Sequence, residues 1–406
     1  MQTFSQLPLS PLLKTNLARN GFTEPTPIQV MAIEPALAGR DLVATAQTGT
    51  GKTLAFVLPI VQALMEHRPA AGIRAVILSP TRELALQINE TFVKMAAGTG
   101  VRAAVVVGGL GENSQLQSIR KGAHVVIATA GRLFDFLNRR LVNLGAVEIV
   151  VFDEADRMLD MGFLPTITRI LAALPAARQT MFFSATIESS VKHLVETHVP
   201  NAVRIEIGST TKPVDQVELR LYEVEQDRKL DLLNSMLHRE EGSFLVFTRT
   251  KHGADRLARR LGDQGVKTAA IHGNRSQNQR TQALRGFQEG YYRVLVATDV
   301  AARGIHVDSI SHVVNYDLPQ VPEDFIHRVG RTGRAGARGT ASTFSARSER
   351  SDITQIEKAL AIRLVRYQES GEVSINQDDP PKASSRSWRS FGPGRGSGRR
   401  QMRRAV

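Results

Sequence analysis

Cysteine is absent from this 406-residue sequence, and so is any run of about 18 consecutive apolar residues, the length of a membrane span. Without cysteine the protein has no disulfides, no thiolate metal site and no cysteine nucleophile. Residues 1–7 also lack the basic start and the apolar stretch of a secretory signal peptide. We therefore expect a cytoplasmic protein, a monomer by default, with no membrane as a partner.

Acidic residues are in the minority, with 39 Asp and Glu against 52 Lys and Arg and a formal net charge of +13. This excess indicates a polyanionic partner, and we expect that partner to be nucleic acid. The length predicts about two or three domains, each large enough for its own core. The hydrophobic content of 42% is ordinary for globular protein.

Short apolar strands alternate with amphipathic helices along two stretches of the chain. Strands are predicted at 42–46, 73–79, 101–107, 124–128, 147–152, 179–183 and 202–207, then at 217–224, 244–248, 268–271, 293–297, 311–315 and 340–345. The alternation predicts an α/β fold with parallel sheets covered by helices on both faces. The turn formers in Gly208-Ser-Thr-Thr-Lys-Pro213 interrupt it. Residues 1–207 and 217–367 are therefore predicted to be two α/β domains joined by a linker at 208–216.

The last segment, 368–406, differs in composition from the rest. Between Lys382 and Val406 it has eight Lys or Arg and no Asp or Glu, with Gly, Ser and Pro among them. Such a segment buries too little apolar surface to fold alone, so a disordered basic tail is predicted. Trp388 and Phe391 among the arginines favour contact with single-stranded nucleic acid. The alternative is a solvated tail without function.

Lys52 lies in the glycine-rich segment Ala46-Gln-Thr-Gly-Thr-Gly-Lys-Thr53, between an apolar strand and an apolar helical run. A turn of this kind directs backbone N–H groups at phosphate oxygens, and the helix N-terminus adds partial positive charge. Lys52 then reaches the outer phosphates of a nucleotide, and the Thr53 hydroxyl binds Mg²⁺. Ala46 stands where the general motif has its first glycine. The alternative is an ordinary junction between strand and helix.

Asp153-Glu-Ala-Asp156 follows the predicted buried strand 147–152. Its first two carboxylates fall at a strand's carboxyl end, where open α/β sheets bind ligands. Asp153 is placed to hold Mg²⁺, and Glu154 is placed to orient and deprotonate an attacking water. The alternative is an acidic helix start favoured by the helix dipole.

Further segments match a known pattern in order and spacing. They are Pro25-Thr-Pro-Ile-Gln29, Pro80-Thr-Arg-Glu-Leu84, Thr129-Ala-Gly-Arg132, Ser184-Ala-Thr186, Val246-Phe-Thr-Arg249, Ala297-Thr-Asp-Val-Ala-Ala-Arg-Gly304 and His327-Arg-Val-Gly-Arg-Thr-Gly-Arg334. Over residues 4 to 366 the chain resembles a DEAD-box ATP-dependent RNA helicase. The resemblance implies two tandem RecA-like domains and ATP and Mg²⁺ as cofactors. Asp156-Arg-Met-Leu-Asp-Met-Gly-Phe163 and the short flanks resemble the bacterial RhlE-type subgroup.

The resemblance assigns nucleotide and catalytic roles to individual residues. The nucleotide is expected to contact Phe22, Pro27, Gln29, Thr48, Gly49, Thr50, Gly51, Lys52, Thr53, Asp299, Gly304 and His306. Gln29 resembles the adenine reader, and Phe22 the residue that stacks on the base, although a lone phenylalanine such as Phe22 or Phe4 is more often in the core. Catalysis is expected from Lys52, Asp153, Glu154, His327, Arg331 and Arg334. The last two resemble arginine fingers, since guanidinium stays charged and presents a planar donor fork.

RNA is expected to cross the opposite rim of both domains, held by its phosphates and 2′-hydroxyls and not by its sequence. The residues implied are Pro80, Thr81, Arg82, Gly108, Gly109, Thr129, Arg132, Arg249, Gly273, Arg275 and Thr298. For any single Thr or Gly the alternative is ordinary turn chemistry. Ser184, Thr186 and Asp156 resemble the residues that couple hydrolysis to domain closure, and His327 the link to them.

Two positions depart from the family pattern. Ala130 replaces the usual proline after Thr129, which loosens a turn and removes no contact group. His306 replaces an aspartate that in relatives accepts a bond from the ATP ribose. Neutral histidine has one acceptor nitrogen, so we expect weaker ribose recognition and a raised KM for ATP. An unchanged KM in His306→Asp would refute this.

The resemblance predicts RNA-stimulated ATP hydrolysis with local, non-processive separation of short RNA duplexes. Two rivals share the motifs: an RNA clamp or assembly platform that separates no duplex, and a DNA helicase or translocase on the same frame. Gln29 and the 153–156 segment argue against the DNA enzyme. Ribosome assembly, mRNA turnover and cold adaptation all fit, with ribosomal precursor particles or RNA-degradation machinery as expected partners.

Overall fold

The computed structural model describes residues 3–46, 49–66, 72–187, 189–207, 217–302, 310–333, 338–368 and 370–372. The linker 208–216, most of the tail, and the site residues Thr48, Gly304, His306 and Arg334 lie outside these ranges, so the predictions made for them stay predictions. We call residues 3–207 the first lobe and residues 217–372 the second lobe. In the described part of the chain, no helix is both long enough and apolar enough to span a bilayer.

The first lobe is built on a seven-stranded sheet with the order β3-β4-β2-β5-β6-β1-β7. Its strands are β1 Leu42–Ala46, β2 Ala75–Ser79, β3 Ala103–Val106, β4 Val125–Thr129, β5 Ile149–Asp153, β6 Gln179–Ser184 and β7 Val203–Ile207. Every pairing is parallel. All residues of β1, β2 and β5 are buried, as expected for central parallel strands with helices on both faces.

Two helices of the first lobe precede its first strand, and the others lie between successive strands. They are α1 Pro11–Arg19, α2 Pro27–Leu37, α3 Lys52–Glu66, α4 Arg82–Met95, α5 Glu112–Arg120, α6 Ala130–Asn138, α7 Ala155–Asp160, α8 Leu164–Ala172 and α9 Ser189–His198. Two apolar cores form, one on each face of the sheet.

The second lobe repeats this construction with the strand order β10-β11-β9-β12-β13-β8-β14, again all parallel. Its strands are β8 Val217–Glu223, β9 Phe244–Phe247, β10 Thr268–Ile271, β11 Val294–Ala297, β12 His312–Asn315, β13 Gly339–Ser345 and β14 Val365–Tyr367. Its helices are α10 Lys229–Arg239, α11 Lys251–Asp263, α12 Gln277–Gln288, α13 Asp299–Ala302, α14 Pro322–Val329 and α15 Arg350–Leu360. The predicted α/β fold with two parallel-sheet, RecA-like domains is confirmed.

Each predicted strand is present, with ends that differ by no more than about two residues. The strand β14 was not predicted. It pairs with β8 at the edge of the second sheet through only three residues, too short a run to show a period of its own.

Candidate active site and nucleic-acid cleft

The carboxyl edge of the first sheet gathers segments that are far apart in sequence. Neighbouring strands in the order β1, β6, β5, β2, β4 and β3 end there side by side. The edge therefore carries, in that spatial order, the glycine-rich loop, Ser184–Thr186, Asp153–Asp156, Pro80–Arg82, Thr129–Arg132 and Gly108–Gly109. The segments predicted for nucleotide lie at one end of the edge and those predicted for RNA at the other. The 153–156 and 184–186 segments lie between them.

The glycine-rich loop is built for close backbone approach. Gly49 and Gly51 have φ values of 90° and 87°, a region that other residues adopt at a cost. A Cβ on Gly51 would lie 2.4 Å from Gln29 Nε2. Lys52 begins α3, and its Nζ donates a 2.7 Å hydrogen bond to the carbonyl of Ala46 at the end of β1. The ammonium group is thus held over the loop, where the outer phosphates of a nucleotide are expected.

Gln29 connects the predicted adenine segment to this loop. Its Oε1 accepts a 2.9 Å bond from the backbone N–H of Thr26, and its Nε2 donates a 2.9 Å bond to the Gly51 carbonyl. The first bond is half of a capping box at the start of α2, where Pro27 is the first helical residue. Phe22 exposes 36% of its surface, whereas Phe4 is buried in the first core. Phe4 is therefore a core residue, whereas Phe22 is not.

Asp153 fits a Mg²⁺ ligand. It ends β5, is 3% exposed, and its Oδ1 has no hydrogen-bond partner among the described residues. Burial, together with the adjacent Glu154 carboxylate, raises the pKa of Asp153 to about 7. A cation at this oxygen would offset both effects. No cluster of three or more His, Asp or Glu side chains suited to a metal occurs in the described ranges. The residues that would hold the ion are Asp153 and Thr53, with the phosphates of the nucleotide as further oxygen ligands.

Glu154 adopts a left-handed backbone conformation with φ 53° directly before α7. Its Oε2 accepts a 2.6 Å bond from Arg157 Nη1, and both side chains are buried. The ion pair fixes the orientation of the carboxylate at the sheet edge. An unusual backbone conformation at this position is consistent with a functional constraint.

Asp156 is hydrogen-bonded to the 184–186 segment. Its Oδ2 accepts bonds from the backbone N–H groups of Ala185 and Thr186, both at 2.9 Å, and from the Thr186 hydroxyl at 3.2 Å. Its own N–H donates to Ser184 Oγ at 3.2 Å. Movement of either segment therefore carries the other with it.

The helix α14 of the second lobe faces this cluster. Burial lowers the pKa of His327 to about 4; the nearby Arg157 acts in the same direction, and Asp156 opposes it. The His327 ring is therefore uncharged at neutral pH, close to Arg157 and Asp156 of the first lobe. Arg331 is 2% exposed and donates to the His327 carbonyl at 3.1 Å.

Asp299, predicted to contact nucleotide, is paired within the second lobe. Arg328 binds both of its carboxylate oxygens, at 2.5 and 2.7 Å. The same guanidinium bonds the Asp317 carbonyl at 2.7 Å and lies over the ring of Phe247. Arg328 thus holds α14 to the carboxyl edge of the second sheet, a role that the sequence did not indicate.

A buried contact joins the two lobes. Glu83 of α4 accepts 2.8 Å bonds from Gln277 Nε2 and Arg280 Nη2 of α12, and all three residues are buried. Burial lowers the pKa of Arg280, and the Glu83 carboxylate opposes that shift. Sequence reasoning missed this contact. Glu83 lies in a segment expected to bind the RNA backbone. An acidic side chain does not suit that role, and this was the available signal that Glu83 contacts something else.

A cleft of about 530 Å³ opens beside this contact, between the two lobes. Its lining includes seven of the residues predicted to bind RNA: Pro80, Thr81, Arg82, Gly108, Thr129, Arg132 and Gly273. Gly109 lies directly beneath Arg82, because a Cβ there would be 2.2 Å from Arg82 Nη1. The Thr81 hydroxyl accepts a 3.3 Å bond from the Leu84 N–H and so caps α4 as well.

The remaining predicted RNA residues lie outside the lining of this cleft. Arg275 binds Asp255 at 2.6 Å on another surface of the second lobe. Arg249 leaves half of its side chain exposed and pairs with Glu349. Thr298 is buried at the start of α13, where its carbonyl accepts bonds from two following N–H groups. The structure does not test the roles assigned to individual residues, which stay predictions.

Comparison with known proteins agrees with this arrangement. A family model described as DEAD/DEAH box helicase matches residues 26–194, and one described as helicase conserved C-terminal domain matches residues 228–336. The chain is 40% identical to the DEAD-box ATP-dependent RNA helicase CshA of Bacillus licheniformis over 329 residues. It is 42% identical to the ATP-dependent RNA helicase RhlB of Xanthomonas oryzae pv. oryzae over 338 residues.

Each alignment covers 81% of this chain, which spans 67% of that CshA and 59% of that RhlB. The RhlE-type subgroup stays a prediction. Among solved structures, S. cerevisiae Dbp5 bound to RNA and ADP BeF3 matches with a TM-score of 0.81 at 32% identity, covering 91% of this chain and 96% of that one. The chain belongs to the family of DEAD-box ATP-dependent RNA helicases.

Proposed function

We propose that this protein is an RNA-stimulated ATPase that separates short RNA duplexes locally. The contact of Glu83 with Gln277 and Arg280 carries the proposal, because it holds the two lobes together beside a cleft that both lobes line. The likeness to Dbp5 bound to RNA and ADP BeF3 supports it, since that structure contains both classes of ligand proposed here.

At the nucleotide end, the loop N–H groups and Lys52 bind the phosphates. Asp153 and Thr53 are the residues that would hold Mg²⁺, which when bound neutralises phosphate charge and aids departure of the leaving group. Glu154, oriented by Arg157, accepts a proton from the attacking water. Arg331 comes from the second lobe, so its guanidinium reaches the γ-phosphate only while the lobes are together.

At the RNA end, the cleft residues bind the backbone of a single strand. Because lobe closure forms this cleft, a strand that fits it takes the shape set by the closed lobes, and a continuous duplex does not fit. Asp156 and its bonds to the 184–186 segment lie between the two ends and link closure to hydrolysis. Once hydrolysis removes the γ-phosphate, the lobes separate and release the strand.

Displacement of a labelled strand from a short RNA duplex, with ATP and Mg²⁺, tests the proposal. We expect ATP-dependent release that slows steeply as the duplex is lengthened, because the separation is local. RNA-stimulated ATP hydrolysis without release at any length would favour the RNA clamp instead. Contacts to the RNA backbone carry no sequence information. They therefore do not specify which RNA the protein acts on in ribosome assembly or RNA turnover.

A further inference from the structure

A second groove, of about 560 Å³, lies along the outer edge of β10 in the second lobe, where the sheet ends. The helices α11 and α12 form its walls. We call it the β10 groove; it is lined by Asp255, Ala258, Arg259, Thr268, Ala269, Ala270, Arg275, Gln279, Gln282, Ala283 and Tyr292. Of its lining residues only Arg275 was assigned a role from the sequence, as an RNA contact, and no step of the proposed mechanism uses the groove.

The lining of the β10 groove is rich in hydrogen-bond donors. Arg259 reaches it from α11, Arg275 from the start of the other wall, and Gln279 and Gln282 from α12. Among the described lining residues Asp255 alone has a carboxylate, and that group is bound by Arg275 Nη2 at 2.6 Å and His272 Nε2 at 2.8 Å. Two guanidiniums and one carboxylate give the lining a formal charge of about +1, and Arg259 is the guanidinium not paired with Asp255. Such a groove, with an aromatic ring at its side, suits a single-stranded nucleic acid.

The linings of the β10 groove and of the RNA cleft come close together in the chain. Gly273 lines the cleft, and Arg275, two residues later and therefore within about 7 Å along the chain, lines the groove. The helix α12 separates the two: Gln277 and Arg280 point to the first lobe, and Gln279 and Gln282 to the groove. A strand that passes Gly273 on leaving the cleft therefore has the β10 groove within reach.

We propose that the β10 groove binds a flanking single-stranded segment of the RNA whose central part occupies the cleft. The proposal rests on the proposed function, because it requires RNA in the cleft. Binding there gives the protein a preference for duplexes with single-stranded extensions. The residues that determine this preference lie in the second lobe.

A peptide adding a strand to the β10 edge is the competing occupant. Strand addition takes its specificity from pockets for alternate side chains. The apolar lining here is limited to four alanines and Tyr292, and the donors come from arginine and glutamine side chains. These features favour a phosphodiester backbone over a peptide.

The test compares the binding of three labelled single-stranded RNAs to the full chain with a non-hydrolysable ATP analogue. One RNA of about eight nucleotides fills the cleft alone, and the others carry an extension of about six nucleotides at the 5′ or the 3′ end. The variants are Arg259→Glu and, as a matched control, Arg260→Glu. Arg260 is the adjacent exposed arginine of α11 and lies near Tyr316, away from the groove.

We expect one of the two extended RNAs to bind the wild type about fivefold more tightly than the short RNA, with a steeper salt dependence. Arg259→Glu should abolish this gain and reduce the salt slope for the extended RNA by about 1, with binding of the short RNA unchanged. Arg260→Glu should keep the gain.

Equal binding of all three RNAs by the wild type would overturn the proposal and leave the groove to a peptide. Equal losses in Arg259→Glu and Arg260→Glu would also overturn it, since they would indicate overall charge and no defined site. If the short RNA itself neither binds nor stimulates ATP hydrolysis, the proposed function fails, and this proposal fails with it.

Discussion

Glu83 in the first lobe and Arg280 in the second form a buried ion pair with 2.8 Å between Oε2 and Nη2. The two residues are 197 positions apart in the chain. Their contact exists only while the lobes are together, so its free energy adds to closure and not to the folding of either lobe. Gln277 binds the other oxygen of the same carboxylate.

Glu83→Gln should lower RNA-stimulated ATP hydrolysis about tenfold and leave the thermal stability of the lobes unchanged. The substitution leaves the Arg280 charge buried without a counterion in the closed state, which lowers the population of that state. Steady-state ATPase rates and thermal unfolding measure the two quantities.

Two comparisons sharpen this measurement. Glu223→Gln, which removes an exposed pair with Arg350 inside the second lobe, should change little. The double variant Glu83→Gln with Arg280→Gln should lose no more activity than the worse single variant, because the residues act as a pair. Fully additive losses would contradict a closure contact.

Glu154→Gln should reduce the rate of ATP hydrolysis by about 100-fold or more, with RNA binding in the presence of ATP retained. The amide cannot accept the proton of the attacking water, and general-base catalysis contributes a factor of this size. Glu148→Gln is the control, since Glu148 pairs with Arg74 just before β5. Full activity in Glu154→Gln would show that the base lies elsewhere.

Thr186→Val should separate ATP hydrolysis from duplex separation. It removes the 3.2 Å hydroxyl bond to Asp156 and leaves the two backbone bonds in place. We expect hydrolysis to change by no more than about threefold and strand displacement to fall by about tenfold, the usual size of a coupling between sites. A parallel fall of both rates would argue against a coupling role.

Truncation after Pro381 should weaken RNA binding and its dependence on salt. The removed segment carries eight Lys or Arg, and full engagement would contribute about −6 to the salt slope for a single strand. If only some of these basic residues contact RNA, the salt slope changes by less, in the same direction. If RNA titrations at several salt concentrations give the same salt slope for the truncated and the full chain, the tail does not act as an RNA tether.

The fold was predictable because its signals are local. Apolar runs such as 149–152 mark buried parallel strands, and parallel connection then brings the carboxyl ends to one edge. The grouping of Asp153, Asp156 and Ser184 follows from that rule. The contact of Glu83 with Arg280 could not be predicted in this way, because hydrophobic periodicity describes single helices and strands and does not link residues of two different domains. The β10 groove depends on where the second sheet ends, and the strand order at the edge is not visible in the sequence.

We expect RNA to drive closure of the two lobes around the nucleotide, and the ATPase rate measures this most directly. The rate is measured without nucleic acid, with single-stranded RNA and with DNA of the same sequence. We predict strong stimulation by RNA and little by DNA, because the expected backbone contacts include 2′-hydroxyls. Equal stimulation by DNA, or no stimulation by RNA, would contradict the account.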